Sequence, residues 1–501
     1  MENLTDLCDP PEFWEYFYKI SRIPRCSGNE EMIRKFIVDE ANTIGFQTEL
    51  DSVKNLMVKI PSKNNEADKN FIVVLQSHLD IVCEKNQEIK HDFTKDPLKL
   101  KIVEIENEKW VTAEGTTLGA DNGVGICYQL ALMKKISNGD LDLGPLNIKL
   151  LFTVDEEGGL LGASHIRKEM AQGTYLLNLD SEEDNKFTIG CAGGNRYKVE
   201  IKIEKEILNQ KSKNYILARI SVRGLMGGHS GTDINKGRAN ALKIISELLW
   251  KLNRKFDIKI NSINGGNLSN AIPREADIKF FLIEKDFSNL VDELNKDLIE
   301  IRKIFEGIEK SIDLKVERLE NLLDNTYIKK EIQNRLLDLL YLLPNGPIIF
   351  HPKINNLVHT SSNFGTIKTN KGNIEFILSQ RSFTDYDKDV LHDKVITLLE
   401  LSKLNYRTYE YVRYPGWSPN FDSKISKIAK EIYLELFNQE VMIQAIHAGL
   451  ECAYFNYYYP QMELISFGPD IIGGHSPDER LRVKSVEKIW KFLVKLLKNL
   501  I

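Results

Sequence analysis

Short apolar, β-rich runs alternate with helical segments through the first 180 residues, and this alternation constrains the fold more than any other feature. The runs 56–60, 71–76, 148–154 and 175–179 have strand length. Residues 12–46 read as two helices, with Phe13, Phe17 and Ile20, then Ile33, Phe36 and Ile37, at helical spacing on either side of the turn-forming stretch Pro24–Gly28, and 123–134 reads as a further helix. A polar turn, 61–70, separates the first two runs. Strands that alternate with helices predict an α/β domain built on a mostly parallel sheet flanked by helices.

The stretch 194–389 is patterned differently. Long strands (197–203, 215–222, 276–283 and 373–378) are interleaved with charged amphipathic helices (238–253 and 285–304), which predicts a large inserted α+β lid domain. The expected organisation is a catalytic domain in two parts, 1–193 and 390–501, with the insert 194–389 between them. A chain of 501 residues is too long for one ordinary core, so a second domain is expected on length alone. The closing helix, 485–500, carries an apolar stripe (Ile489, Phe492, Leu493, Leu496, Leu497) opposite lysines and is expected to pack on the sheet rather than on a membrane.

Composition narrows the function. Lys and Arg total 67 against 72 Asp and Glu, a formal net charge of −5, so nothing in the balance marks a nucleic-acid or anionic-membrane binder. No run approaches the length needed to span a bilayer, and the first residues lack a basic, then apolar, leader pattern. The six cysteines (Cys8, Cys26, Cys83, Cys127, Cys191, Cys452) are scattered without a CxxC pair, which predicts reduced thiols in a cytoplasmic protein and no thiolate metal site.

The chemistry-bearing residues sit where the apolar runs stop. In FIVVLQSHLD, His78 and Asp80 lie two apart and share a side of the strand, so the acid can orient the ring of a metal-bound histidine. Asp121 lies in the glycine-rich turn TLGADNGVG, Glu156 and Glu157 follow the run IKLLFTVD, Asp180 ends YLLNLD, and His475 lies in the loop GPDIIGGHSPDE. Each has an ordinary reading alone: a surface pair, a helix cap, a solvated turn. Together they occupy strand ends and glycine loops, the place where ligands bind in open α/β sheets. Two imidazoles and three carboxylates without thiolates suit a pair of hydrolytic zinc ions better than a structural zinc.

The segments SHLDIVCEKN, LGADNGVGIC, FTVDEEGGLLGA, NLDSEEDNKFTIGCAGG, GLMGGHSGTDINKGRANA, NAIPRE, LSQRS, HAGLEC and FGPDIIGGHSPDERL resemble, in order, the aminoacyl-histidine dipeptidase (Xaa-His dipeptidase, peptidase D) family of di-zinc metallopeptidases, in the clan of carboxypeptidase G and aminoacylase. The resemblance implies a zinc-exopeptidase type of fold and two Zn2+ per subunit, with Co2+ or Mn2+ as substitutes. His78 and Asp180 would hold one ion, Glu157 and His475 the other, and Asp121 would bridge them, followed by a cis peptide at Asp121–Asn122. It implies Asp80 and Glu156 as catalytic residues, Glu156 being the general base toward a zinc-activated water. His229, Asn270, Arg381 and Glu451 would bind substrate, with His229 and Arg381 brought over the metals by closure of the lid. Without the resemblance Arg381 reads as a surface residue. The implied activity is cytosolic hydrolysis of unblocked dipeptides, including Xaa-His and β-Ala-His types. The alternatives are a deacylase or tripeptidase of the same clan, or a non-catalytic binding protein. The expected partner is a small peptide, with no nucleic acid and no membrane, and a homodimer is compatible with the resemblance. Many relatives read DEETG where this chain has Asp155-Glu156-Glu157-Gly158-Gly159, a departure expected to touch turn flexibility or a supporting hydrogen bond.

Overall fold

The computed structural model describes residues 4–62, 68–209, 214–320 and 324–500. Residues 63–67 of the expected polar turn lie outside them. The chain forms two compact units. One comprises 1–191, 417–445 and 450–501; the other comprises 192–416 and 446–449.

The first unit is built on an eight-stranded sheet. Its order is Gln47–Leu50, Leu56–Ile60, Asn147–Thr153, Ile72–His78, Tyr175–Asn178, Glu463–Ser466, Lys186–Cys191, Met442–Ile446. The middle of the sheet is parallel: Ile72–His78 pairs in parallel with Asn147–Thr153 and with Tyr175–Asn178, which pairs in parallel with Glu463–Ser466. Outside these strands Leu56–Ile60 pairs antiparallel with both of its neighbours, and Lys186–Cys191 pairs antiparallel with Glu463–Ser466. His78 stands opposite Thr153, Gln76 opposite Asn178, and Asn178 opposite Ser466, so the parallel strands finish along one rim. Loops leaving that rim start from a fixed row of residues, and the site described below is built there.

Helices cover this sheet as the apolar spacing predicts. Pro11–Ser21 buries Phe13, Trp14 and Phe17, and the Phe13 ring lies 4.8 Å from that of Tyr128 on the helix Ala120–Asn138. The expected helix 123–134 is thus longer than its apolar pattern. It also begins irregularly, since Asp121 and Asn122 are not helical and their peptide is cis. The last helix, Val483–Lys498, buries Ile489, Phe492, Leu493, Leu496 and Leu497, and Phe492 meets the rings of Phe187, Phe467 and Tyr433. Among the described residues no helix is long and apolar enough to cross a membrane.

The cysteines depart from expectation. Cys26 and Cys83 are joined in a disulfide with their Cα atoms 5.7 Å apart, while Cys8, Cys127, Cys191 and Cys452 are free. The pairing needs no CxxC motif because residue 26 forms a parallel bridge with Ile81, which brings the loop after the first helix beside the loop after Ile72–His78.

The second unit carries a nine-stranded sheet whose pairings among the described residues are all antiparallel. Its long central strands are Gly193–Lys202, Val358–Thr369 and Asn373–Ser382. Helices Ala241–Lys255, Phe287–Ile304, Lys330–Leu342 and Asp385–Ser402 contribute to its core, where Ile244, Ile245, Leu248 and Leu249 of the first of them are buried with Phe280, Phe364 and Phe376 of the sheet.

Phe492 is fully buried. Phe492→Ala should cost about 3–5 kcal/mol of stability through lost burial and the cavity left behind. Lys491→Ala, one residue earlier on the solvent side, should stay within about 0.5 kcal/mol. Denaturant titration of the two variants checks the contrast.

Candidate metal centre

The rim of the parallel sheet brings together all five residues expected to bind metal. His78, Asp121 and Asp180 offer donor atoms within 4.8 Å of one another, and so do Asp121, Glu157 and His475. Asp121 belongs to both groups and divides its oxygens between them. Oδ1 lies 2.8 Å from His78 Nε2 and Oδ2 lies 3.1 Å from His475 Nε2. Asp180 Oδ1 is 3.4 Å from His78 Nε2, and Glu157 Oε1 is 3.1 Å from His475 Nε2.

Each ligand candidate is delivered by local structure. His78 is the last residue of its strand and is buried. Asp180 follows Tyr175–Asn178 by two residues. His475 lies in the loop between the short strands Ile471–Ile472 and Arg480–Arg482, which pair with each other, and it adopts a left-handed backbone with φ of 62°. Glu156 and Glu157 differ from the expected strand end. The strand stops at Thr153, Asp155 is left-handed, and the two glutamates open a short helical turn, Glu156–Gly159. A β-carbon at Gly158 would overlap the Asp155 carboxylate, so the glycine that replaces the relatives' threonine leaves room for that side chain.

Asp80 does more than accompany His78. Its Oδ1 is 3.4 Å from His78 Nδ1, and the backbone N–H groups of Glu156 and Glu157 donate to its two oxygens at 3.0 and 3.1 Å. Ser27 adds a third bond at 2.7 Å. One buried carboxylate therefore sets both the histidine ring and the turn that carries the two glutamates. Burial alone would raise the Asp80 pKa, but His78 and these donors hold it below the usual carboxylate range.

Charge in the pocket is strongly coupled. Burial lowers the His78 pKa, yet Asp180, Asp121 and Asp80 more than reverse this and hold it well above its ordinary value. His475 is pushed up to about 11 by its contacts with Asp121 and Glu157. Burial raises Asp180, His78 opposes the rise, and Asp121 and Glu451 add to it. Burial likewise lifts Glu156 well above the ordinary carboxyl range, against His78 and with the charges of Asp180, Glu157 and Glu451. A carboxyl whose pKa is raised from the ordinary range moves toward the range in which general acids and bases work.

Glu451, expected to bind substrate, is fully buried, where Gln76 Nε2 and Thr153 Oγ1 donate to its Oε2 at 2.6 and 2.7 Å. Burial pushes its pKa up to about 7. Two further supporting residues, Arg25 and Glu479, are given no role in the expectations above, although Glu479 closes the segment GPDIIGGHSPDE. Arg25 is buried and donates to the carbonyls of Leu79, Asp80 and Gly119. Glu479 is buried against the backbone of the Asp121 loop. Its place four residues after His475 is the one signal the sequence offers for it.

The remaining site candidates lie in the second unit. His229 is on the short strand Gly228–His229, which pairs with Ala271–Ile272, and the carbonyl of Asn270 accepts from the Ser230 N–H at 2.8 Å. Arg381 is not a surface residue: it sits within the strand Asn373–Ser382 and is 3% exposed. It donates to Tyr414 Oη at 2.9 Å, and its Nε is buried without a hydrogen-bond partner. The Thr232 N–H donates to His229 Nδ1, which leaves the neutral ring's proton on Nε2, 3.3 Å from Arg381 Nη2. Two donors thus converge on one spot. His447 stands nearby in this unit, bonded to Ser361 Oγ at 2.7 Å, and burial together with Arg381 pushes its pKa down to about 3.

The donor set of the first unit fits a pair of divalent cations. It has two imidazoles, three carboxylates and no thiolate, and one carboxylate serves both groups. The comparisons with known proteins agree in extent. The chain is 36% identical over 503 residues to the cytosol non-specific dipeptidase of Escherichia coli (strain K12), covering 100% of this chain and 99% of that protein. Its structure matches aminoacylhistidine dipeptidase from Vibrio alginolyticus with a TM-score of 0.85 at 34% identity, over 98% of this chain and 97% of that one. A tripeptidase from Staphylococcus aureus shares the fold at 14% identity, with a TM-score of 0.54 and 97% of each chain covered. Peptidase family M20/M25/M40 matches residues 74–499, and the chain belongs to that family.

Proposed function

We propose that this protein is a metal-dependent dipeptidase that hydrolyses unblocked dipeptides, Xaa-His and β-Ala-His types among them, at the cluster formed by His78, Asp121, Glu157, Asp180 and His475. The observation that carries the reading is the division of Asp121 between two ligand groups at the rim of the sheet. The full-length relatives, a non-specific dipeptidase and an aminoacylhistidine dipeptidase, favour dipeptides over the other substrates of the clan. A cytoplasmic location is part of the proposal and rests on the name of the Escherichia coli relative. A homodimer rests on family resemblance alone.

His78 and Asp180 would hold one cation, Glu157 and His475 the other, with Asp121 between them; zinc is proposed, and cobalt or manganese would suit the same donors. Bound there, two such ions supply Lewis acidity and a water of lowered pKa. Glu156 takes the proton of the attacking water and returns it to the leaving amine, a role its raised pKa supports. Asp80 keeps His78 oriented and Glu156 in place. From the second unit, the proposed lid 194–389, Arg381 would pair with the free carboxylate of the substrate. His229 would donate from Nε2 to a substrate oxygen, with Asn270 beside it in the chain segment Ser269–Ala271. Glu451 acts in this reading on the charge of the pocket, since Gln76 and Thr153 already hold it.

Hydrolysis of β-Ala-His and a panel of unblocked dipeptides should be lost on chelation and restored by zinc. Glu156→Gln should keep its metal content and lose about 10²–10⁴-fold in kcat; unchanged turnover would remove Glu156 as the base. Arg381→Ala should lower kcat/KM about 10- to 100-fold for free dipeptides, the size of a lost charge-assisted bond, and leave C-terminally amidated dipeptides nearly unaffected. An equal loss on both substrates would show that Arg381 does not read the carboxylate.

Metal affinity should rise with pH. In the metal-free protein His78, His475 and Asp180 all have raised pKa values, so each holds its proton to higher pH and a cation must displace it. Lower pH favours the protons and weakens binding; higher pH removes the competitor. Calorimetric zinc titrations at neutral pH in two buffers of different ionisation enthalpy should report net proton release, and the apparent affinity should fall as the pH is lowered.

A further inference from the structure

Glu479 lies four residues beyond His475 and is 2% exposed. Its carboxylate accepts four successive backbone N–H groups from the segment that carries Asp121. Leu118 and Gly119 donate to Oε2 at 2.7 and 2.9 Å, and Ala120 and Asp121 donate to Oε1 at 2.7 and 3.3 Å. These donors lie in the segment that leads into the helix Ala120–Asn138, whose first residues Asp121 and Asn122 are themselves not helical.

The same segment is held from its other side. Arg25, itself buried, donates to the Gly119 carbonyl. Gly119 is left-handed, with φ of 69°, and a β-carbon there would lie 2.9 Å from Arg25 Nη2. The Asp121 loop thus sits between a carboxylate that takes its N–H groups and a guanidinium that takes a carbonyl.

The base of the His475 loop is equally fixed. The Glu479 N–H donates to the Ser476 carbonyl at 3.1 Å, Thr112 Oγ1 donates to the Glu479 carbonyl at 2.6 Å, and Arg480–Arg482 pairs with the strand Glu108–Ala113. One side chain therefore joins two loops where Asp121 and His475, 354 residues apart in the chain, meet.

We propose that Glu479 is a positioning residue that sets the spacing between Asp121 and His475, and so the affinity of the cation held by Asp121, Glu157 and His475. It touches neither substrate nor metal and acts through the backbone of residues 118–121. The inference rests on the two-cation reading above. A cap that served folding alone would change stability without changing metal affinity in the folded protein; a positioning residue changes both.

The test is titration of the metal-stripped full chain with Co2+, followed by its visible absorption, alongside thermal unfolding. Glu479→Gln keeps the size of the side chain but turns an amide N–H toward backbone donors. In the folded variant one of the two Co2+ equilibria should weaken about 10- to 100-fold, the range typical for partners behind metal ligands, while the other stays close to the parent. With limiting metal kcat should fall, with excess metal it should recover, and KM should not move. Thr112→Val is the control, because it removes a bond to the Glu479 backbone and spares the carboxylate; its Co2+ affinities should match the parent.

If Glu479→Gln does not fold, Glu479→Asp takes its place, and its shorter reach should weaken the same equilibrium. Parent-like affinity for both ions in a folded Glu479 variant overturns the inference, as does equal weakening in Thr112→Val. A parent that binds no pair of Co2+ ions removes the two-cation reading and this inference with it. A parent that binds two, beside a Glu479 variant that does the same with unchanged affinity, removes this inference alone.

Discussion

Asp121 stands between two imidazoles, with one oxygen toward His78 and the other toward His475, and the arrangement of the pocket follows from that shared position. Asp80, Glu156, Glu157, Asp180 and Glu451 crowd the same rim. Charges this close repel strongly where water is scarce, so the cluster needs positive charge or protons to persist. Burial raises the pKa values of Asp180 and Glu156, and the surrounding carboxylates raise those of His78 and His475, in the direction that this crowding requires. Divalent cations meet the same need, which explains why the geometry that favours protonated histidines also favours metal.

The pocket keeps its shape because its supports are backbone contacts rather than flexible side-chain pairs. Asp80 holds the turn of Glu156 and Glu157 by their N–H groups, and Arg25 holds the carbonyls of Leu79, Asp80 and Gly119. Such contacts are indifferent to the side chains of the residues they hold. The Cys26–Cys83 disulfide closes the same region covalently, one residue from Arg25 and three from Asp80.

That indifference also explains what was legible in the sequence. His78, Asp121, Glu157, Asp180 and His475 could be found because each ends an apolar run or sits in a glycine loop, and strand-end geometry follows from such patterns. The strands and helices were legible for the same reason, with boundaries shifting by a few residues, as at Ala120–Asn138. Arg25 and Glu479 were not. Their partners are main-chain atoms of distant segments, 361 residues away for Glu479 and Leu118, and no residue pattern records which backbone a side chain will reach. Arg381 was misread from its residues alone because a charged side chain after an apolar strand is normally solvated. The cysteine pair was missed because proximity of two loops, not spacing, brings it together.

Each of the two units carries an electrostatic deficit of its own. In the first, carboxylates outnumber the cations beside them. In the second, Arg381 is buried with no ion pair formed to it among the described residues, its Nε lacks a hydrogen-bond partner, and His229 turns its Nε2 proton toward the same place. A buried guanidinium without an anion is costly unless a ligand supplies one. The neighbouring His447, held neutral by burial and by Arg381 itself, adds no negative charge to relieve it. The guanidinium charge of Arg381 is thus left without an anion among the described residues.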